Sequence, residues 1–296
     1  EGVWVDAEAG IAIGHTRLSV IDLSSDGHQP MHSTDDRYVI SYNGEIYNFV
    51  ELRRELEDRG QSFRGHSDTE VMLAAISQWG VVEAVKRFNG MFAFALWDQR
   101  DRVLHLVRDR LGIKPLYYGW SGQTLLFGSQ VQVMRAHPAF QPSINRSALA
   151  LYLRHSYIPA PYSIYKDVHK LTPGAILSID RRSAESVSTP VKYWSVRDVA
   201  SEGRSQPFEG SMSDVVERLH ALLSEAVKLR MVSDVPLGAF LSGGVDSSSI
   251  VALMQANSDR PVKTFTIGFP DVDYNEAVSA KAVALHLGTS SSKVIA

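Results

Sequence analysis

The chain has no cysteine among its 296 residues, which excludes disulfide bridges and thiolate metal ligands within it and favours a cytoplasmic location. Low-complexity segments, internal repeats and apolar runs long enough to span a bilayer are also missing. The net charge is −3, and positive and negative residues are interspersed along the sequence, so they form no basic stripe. We therefore expect neither a nucleic acid nor a membrane surface as a partner.

The patterning divides the chain into two parts with different architectures. Residues 1–128 contain short alternating or apolar runs, typical of strands, together with two predicted helices. The first begins at Asn48 and ends at Gly60, and the second begins at Ser67 and ends at Gly80. Together these runs and helices predict two antiparallel sheets packed face to face with helices outside. Residues 181–210 are polar and rich in Ser, Arg and Glu, which predicts a linker. Residues 211–296 alternate helical and strand patterns, which predicts the start of a parallel α/β sheet.

The segment 241–248, Leu-Ser-Gly-Gly-Val-Asp-Ser-Ser, joins a predicted strand to a predicted helix. Glycines allow a backbone to approach an anion closely, and the N–H groups of a helix N-terminus point at it. A carboxylate at Asp246 is compatible with phosphates if a Mg²⁺ ion bridges them. The Lys of the common phosphate loop is missing, so this is a different type of loop. A serine-capped, glycine-rich turn without a ligand is the structural alternative.

This segment resembles the signature of the ATP pyrophosphatase family, whose members cleave ATP between the α and β phosphates. The resemblance implies that the loop holds pyrophosphate and Mg²⁺, with Leu241 and Ile267 beside the adenine. The implied ATP-binding residues are Leu241, Ser242, Gly243, Gly244, Val245, Asp246, Ser247 and Ile267, with Asp246 as the Mg²⁺ ligand.

Three charged segments stand out in the first part of the chain. Arg17 could pair with the carboxylate of a free amino acid, and Glu45 and Asp68 could take its ammonium group. Asn43 and the Gly44 N–H could form an oxyanion hole for attack on a side-chain amide. Each residue also has a structural interpretation: Asp68 suits a first helical turn, Glu45 a surface, and Asn43-Gly44 a turn.

These segments resemble the glutaminase domain of glutamine-dependent asparagine synthetases, a class II amidotransferase with an N-terminal-nucleophile fold. The matching motifs are the segments 17–21, 43–48, 67–70, 89–95 and 108–118. The resemblance implies a glutaminase domain over 1–180, a linker over 181–210 and the start of an ATP-binding synthetase domain over 211–296. The implied glutamine-binding residues are Arg17, Leu18, Ser19, Val20, Ile21, Asn43, Gly44, Glu45 and Asp68.

The sequence departs from this family at the nucleophile, which in the family is an N-terminal cysteine activated by its own amino group. This chain has no cysteine and starts at Glu1. We expect a piece of a longer protein that begins after the family's first strand and early helix and stops within the synthetase domain. A parent that has lost glutaminase activity is the competing explanation. In either case we expect no glutamine hydrolysis by these residues alone.

The resemblance implies asparagine synthesis from aspartate, with ATP and Mg²⁺ as cofactors, ammonia from glutamine, and release of AMP and pyrophosphate. Glutamine, aspartate or another carboxylate acceptor, and ATP are the expected small-molecule partners, and a homodimer is possible. A lactam-forming or peptide-cyclising enzyme, or amidation of a different acceptor, would use the same motifs. A non-catalytic glutamine-binding module is the alternative from another class.

Overall fold

The computed structural model describes residues 1–18, 20–180, 189–268 and 275–295. The chain divides into two compact units, 1–206 and 207–296. The strands described in the first unit are, in chain order, β1 (Gly2–Asp6), β2 (Ile11–His15), β3 (Met31–His32), β4 (Tyr38–Ile46), β5 (Gly90–Asp98), β6 (Val103–Arg108), β7 (Tyr117–Ser121), β8 (Thr124–Gly128), β9 (Val168–Lys170), β10 (Ala175–Asp180) and β11 (Val191–Lys192). Its described helices are α1 (Phe49–Glu57), α2 (Asp68–Arg87), α3 (Val131–Arg135), α4 (Arg146–His155) and α5 (Val196–Ser205).

The first unit is built on antiparallel sheets, as predicted. The main sheet has the order β11-β10-β6-β5-β4-β3, and a smaller one has the order β8-β7-β9. One face of the main sheet packs on α1 and α2 through a core that contains Ile40, Leu56 and Met72. The other face packs on residues of β2, β7 and β8 through a second core. Apolar clusters on both faces explain why β5 is an almost unbroken apolar run.

Local sequence determines how the second helix begins and bends. Ser67 caps α2 by accepting a hydrogen bond from the Glu70 N–H at 3.3 Å. In a capping box the Glu70 carboxylate would accept a hydrogen bond from the Ser67 N–H. Here it accepts hydrogen bonds from the N–H groups of Arg64 and Gly65. The predicted end of the helix at Gly80 is a kink, because this glycine has a φ of 76° and the helix resumes beyond it.

The second unit is a parallel three-stranded sheet with helices, as predicted. Its described elements are α6 (Met212–Leu229), β12 (Gly238–Phe240), α7 (Val245–Ala256), β13 (Lys263–Gly268), α8 (Ala277–Leu287) and β14 (Ser290–Ile295). The strand order is β12-β13-β14, and both pairings are parallel. Parallel strands end at the same edge, so the loop after β12 and the end of β13 lie close together.

The segment predicted as a linker is partly structured. Residues 189–206 belong to the first unit, where β11 pairs with β10. The polar helix α5 follows, capped by the Ser195 hydroxyl, and none of its residues is buried. The composition predicted a linker because a solvent-exposed helix and an edge strand can be as rich in polar residues as a linker is. Within the described residues, no helix has the length and apolarity needed to cross a membrane.

Candidate functional site

A cavity of about 1720 Å³ opens in the first unit. Every predicted glutamine-binding residue that the structure describes lines it, although these residues come from separate parts of the sequence. They are Arg17, Leu18, Val20, Ile21, Asn43, Gly44, Glu45 and Asp68. Ser19, the remaining predicted residue, lies outside the described residues. Among these predicted residues, the fold thus gathers a guanidinium, two carboxylates and an Asn-Gly pair around a single space.

Arg17 is held by the loop that follows it. Its Nη2 donates to the carbonyl oxygens of Ile21 and Asp22, each at 2.7 Å. Gly27 packs against the guanidinium so closely that a Cβ there would lie 2.4 Å from Nη2. The described residues accept no hydrogen bond from Nη1 or Nε of Arg17, so these donors are available to a carboxylate.

The register of β4 points the Gly44 N–H away from β5. On the same edge of β4, the Tyr42 N–H donates to Gln29 Oε1 at 2.7 Å, and the Ile46 N–H donates to Asp68 Oδ2 at 3.0 Å. Alternate residues of a strand point their N–H groups the same way, so the Gly44 N–H lies between these two. No described residue accepts a hydrogen bond from it. This geometry is suited to the predicted oxyanion hole.

Gly44 also has a structural reason to be glycine. A Cβ at this position would lie 2.2 Å from the carbonyl oxygen of Met91 in the paired strand. Asn43, its neighbour, reaches across the cavity, and its Nδ2 lies 3.5 Å from Ser129 Oγ. The amide is therefore weakly held and can turn its donor towards a ligand.

Asp68 is a buried carboxylate at the N-terminus of α2, with 6% of its surface exposed. Its Oδ2 accepts from the Tyr42 hydroxyl at 2.7 Å and from the Ile46 N–H. Burial raises the pKa of Asp68 above its ordinary value, although these hydrogen bonds act in the opposite direction. A bound ammonium group would offset this cost of burial, so the site favours a cationic ligand group next to Asp68.

Glu45 lies on β4 opposite Met91, two residues beyond Asn43. Side chains two residues apart share a face of a strand, which places Glu45 and Asn43 together on the cavity wall. The cavity therefore presents carboxylates and a guanidinium to the same space. This combination matches the two charged groups of a free α-amino acid.

Sequence reasoning missed three polar residues that shape the cavity. Tyr42 binds Asp68, and the amide of Gln29 binds both the Tyr42 N–H and, at 3.4 Å, the Thr69 hydroxyl. His15 lines the cavity with its Nδ1 3.1 Å from Ser41 Oγ, and burial, followed by the charge of Arg17, lowers its pKa. No pattern in the sequence marks these contacts, because each joins residues that are far apart in the chain.

The motif at 108–118 acts as a support for the site. The Asp109 carboxylate accepts hydrogen bonds from four backbone N–H groups, those of Phe92, Leu111, Ile113 and Lys114. Phe92 is the residue that pairs with Gly44. Asp109 therefore fixes the loop after β6 against the strand that backs the Asn43-Gly44 pair.

The loop from Ser242 to Ser247 has the compact form expected of an anion cradle. The hydroxyls of Ser242 and Ser247 lie 2.9 Å apart, and Ser242 Oγ accepts from the Gly244 N–H at 3.3 Å. Gly244 is the N-cap of α7. The N–H groups in the first turn of a helix have no acceptor within the helix, so they can bind an anion. Gly243 has a φ of 84°, and a Cβ there would lie 2.7 Å from the backbone of α8.

The other predicted nucleotide residues differ in exposure. Val245 and Asp246 are exposed in the first turn of α7, and 49% of the Ile267 surface is exposed at the end of β13. Leu241 is 2% exposed, and its side chain belongs to the core of the unit. Its N–H and carbonyl are bonded to Phe265 and Thr266. Of the two residues predicted to flank an adenine, Ile267 has an exposed side chain and Leu241 does not.

Asp246 is suited to bind a Mg²⁺ ion whose other ligands are supplied by phosphate oxygens and waters. Among the described residues, no group of three or more His, Cys, Asp or Glu side chains could enclose a metal. Mg²⁺ at nucleotide sites commonly binds one or two carboxylates together with phosphate oxygens and waters. A single exposed carboxylate beside a phosphate cradle fits that pattern.

Comparison with known families assigns each of the two parts of the chain to a family model. Residues 1–194 match the family model of the glutamine amidotransferase domain, and the chain belongs to this family. Residues 218–296 match the model of asparagine synthase, whose range contains the Ser242–Ser247 loop.

Two curated relatives come from Bacillus subtilis strain 168. Asparagine synthetase [glutamine-hydrolyzing] 3 is 36% identical over 279 residues, covering 92% of this chain and 43% of the relative. Asparagine synthetase [glutamine-hydrolyzing] 1 is 37% identical over 298 residues, covering all of this chain and 44% of the relative. The chain thus spans about half the length of the curated relatives it matches. A solved structure of glutamine phosphoribosylpyrophosphate amidotransferase from B. subtilis matches with 17% identity and a TM-score of 0.43, covering 95% of this chain and 51% of that one.

Proposed function

We propose that the polypeptide containing this chain transfers ammonia from glutamine to an ATP-activated carboxylate, forming asparagine from aspartate. One observation carries this proposal. Arg17, the Asn43-Gly44 pair and Asp68 converge on one cavity of a chain that also contains the Ser242–Ser247 loop. The names of the two B. subtilis relatives support the same combination of glutamine hydrolysis and asparagine synthesis.

In the first unit, Arg17 would bind the α-carboxylate of glutamine through its Nη1 and Nε donors. Asp68 and Glu45 would take the ammonium group. The Gly44 N–H and the Asn43 amide would stabilise the oxyanion that forms when a nucleophile attacks the side-chain amide. That nucleophile is not a cysteine of these 296 residues. The step consumes glutamine and water and releases glutamate and ammonia.

In the second unit, the N–H groups at the start of α7 and the hydroxyls of Ser242 and Ser247 would hold the β and γ phosphates of ATP. Asp246 would hold a Mg²⁺ ion, which would neutralise phosphate charge when bound. A carboxylate oxygen of the acceptor attacks the α phosphorus, and pyrophosphate leaves. Ammonia then attacks the acyl carbon, the C–N bond forms, and AMP leaves.

A second candidate is a glutamine-binding module without turnover. The absence of cysteine from these residues favours it over hydrolysis by this chain alone. The charge pattern of the cavity is the same in both cases. The two proposals therefore differ in catalysis and not in ligand recognition.

The decisive experiment is product analysis of the complete polypeptide with L-glutamine, L-aspartate and MgATP. We expect asparagine, glutamate, AMP and pyrophosphate in equal amounts. Formation of ADP and phosphate would contradict the proposed activation step. Replacing aspartate with other carboxylates tests the acceptor, and glutamine binding without glutamate release would support the module.

A further inference from the structure

We propose that Asp22 is a positioning residue for the amino-acid ligand, acting through Arg17 and the N-terminus of α2; this inference rests on the proposed glutamine site. Asp22 is fully buried, with 0% of its surface exposed, yet it is not among the described residues that line the cavity. A buried carboxylate that does not face the cavity needs hydrogen-bond partners within the protein.

The Asp22 carboxylate ties two loops together. Its Oδ1 accepts from the Ser24 N–H at 3.0 Å and from the Ser24 hydroxyl, within its own loop. Its Oδ2 accepts from the His66 N–H at 3.0 Å, in the loop that leads into α2. The His66 ring lies 3.7 Å from the same oxygen. Burial alone would raise the pKa of Asp22, but the hydrogen bonds outweigh it and the pKa is lowered.

The backbone of Asp22 holds the ligand-binding cation. Its carbonyl oxygen accepts from Arg17 Nη2 at 2.7 Å. His66 is two residues before Asp68, the buried carboxylate of the site. One residue therefore connects Arg17, through its carbonyl, with the turn that carries Asp68, through its carboxylate. The distance between the cation and the anion that would grip an amino acid depends on this connection.

The packing around Asp22 leaves little freedom. A Cβ at Gly65 would lie 2.5 Å from Asp22 Oδ2, so the loop approaches the carboxylate as closely as a glycine allows. Asp22 has a φ of 56°, a left-handed conformation that aspartate tolerates better than most residues. These features indicate a fixed junction between the two loops.

The test is calorimetric titration of L-glutamine into the 296-residue chain and its Asp22→Asn variant. An amide cannot accept on both sides, so either Ser24 or the His66 N–H loses its acceptor. We expect glutamine affinity to fall by about 10-fold in this variant, as for the loss of one hydrogen bond to a charged group. Asp26→Asn is the matched control, since Asp26 is an exposed carboxylate of the same loop, and we expect its affinity to change by less than about 2-fold.

A double variant separates positioning from general destabilisation. In an Arg17→Lys background, the effect of Asp22→Asn should shrink to less than about 3-fold, because the two residues act as one unit. A full and additive loss there would overturn the inference, as would unchanged affinity in the single variant. If Asp22→Asn does not fold, Gly65→Ala replaces it in the test, because its new Cβ crowds Oδ2 of Asp22. The affinity of this second variant for glutamine must then be lower than that of the unaltered chain. Absence of binding by the unaltered chain overturns the proposed function itself.

Discussion

The Tyr42 hydroxyl donates a hydrogen bond of 2.7 Å to Oδ2 of Asp68, linking the central strand of the site to the first residue of α2. Both residues are buried, and their side chains belong to different elements. Because Oδ2 also accepts from the Ile46 N–H, this oxygen is occupied within the protein. Oδ1 is held less tightly, since the Thr69 hydroxyl donates to it at 3.5 Å, and it is the oxygen more accessible to a ligand.

Replacing Tyr42 with Phe tests the structural part of this link. Removal of a hydrogen bond to a buried charged group should lower the free energy of unfolding by about 1.5–3 kcal/mol. Tyr38→Phe is the control, because Tyr38 is a buried tyrosine of the same strand whose hydroxyl binds no described residue. Urea denaturation of the two variants measures the difference. Equal losses in both would show that the Asp68 contact adds nothing.

Gly44 is predicted to be intolerant of any side chain. In Gly44→Ala the new Cβ would meet the Met91 carbonyl at 2.2 Å, so the paired strands must separate. We expect a loss of about 1–3 kcal/mol in unfolding free energy. Gly203→Ala is the control, since Gly203 lies in the exposed helix α5 with no atom within 4 Å of its Cβ position. It should be neutral or stabilise by about 0.5–1 kcal/mol.

The Arg37–Asp98 pair predicts a dependence of stability on pH. Burial would raise the pKa of Asp98, but hydrogen bonds from Arg37, at 2.7 and 3.0 Å, and from the backbone outweigh it and hold the pKa below its ordinary value. The stabilisation is therefore complete above the unfolded pKa, about 3.9, and is lost as the pH falls through the lower folded pKa.

Asp98→Asn should remove this part of the pH dependence. At neutral pH we expect the variant to lose about 1–3 kcal/mol, while in acid below the folded pKa of Asp98 its stability should approach that of the unaltered chain. Denaturation curves between these limits provide the measurement. Asp58→Asn, at an exposed carboxylate after α1, is the control and should leave the curve unchanged. A constant difference between Asp98→Asn and the unaltered chain at all pH values would rule out the linkage.

The role assigned to Asp246 predicts a metal-dependent effect. Asp246→Asn should weaken binding of MgATP by about 10-fold but leave binding of metal-free ATP unchanged or improved, because a charge next to phosphate is removed. Titrations with and without Mg²⁺ separate the two cases. Asp259→Asn, at another exposed carboxylate of the second unit, should show neither effect. Equal weakening with and without the metal would contradict Mg²⁺ binding by Asp246.

The local features of the fold could be predicted from the sequence because each depends on neighbouring residues. Ser67 indicated the start of α2, and the run at residues 38–42 indicated the strand that became β4. The strand, loop and helix around Ser242 were predicted for the same reason. The end predicted at Gly80 is a kink instead, and the helix continues beyond it with Ala84 and Val85 buried in the core.

The contacts that complete the site could not be predicted in this way. Asp22 and His66 are 44 residues apart, and Tyr42 and Asp68 are 26 apart. Their hydrogen bonds exist only once the sheet and helix have packed, and no local pattern specifies them. The convergence of Arg17 with Asp68 was available through the resemblance to a known family, and not from the properties of either residue alone.

Calorimetric titration of L-glutamine into this chain and into Arg17→Met tests the proposed glutamine site directly. Because the chain has no cysteine to act as the nucleophile, we expect it to bind glutamine without hydrolysing it. The unaltered chain should bind one L-glutamine, and the variant should bind at least about 10-fold more weakly, since a charge-assisted pair to the α-carboxylate is lost. Absence of binding by a folded, unaltered chain, or equal affinity in the variant, would contradict the glutamine site described for this cavity.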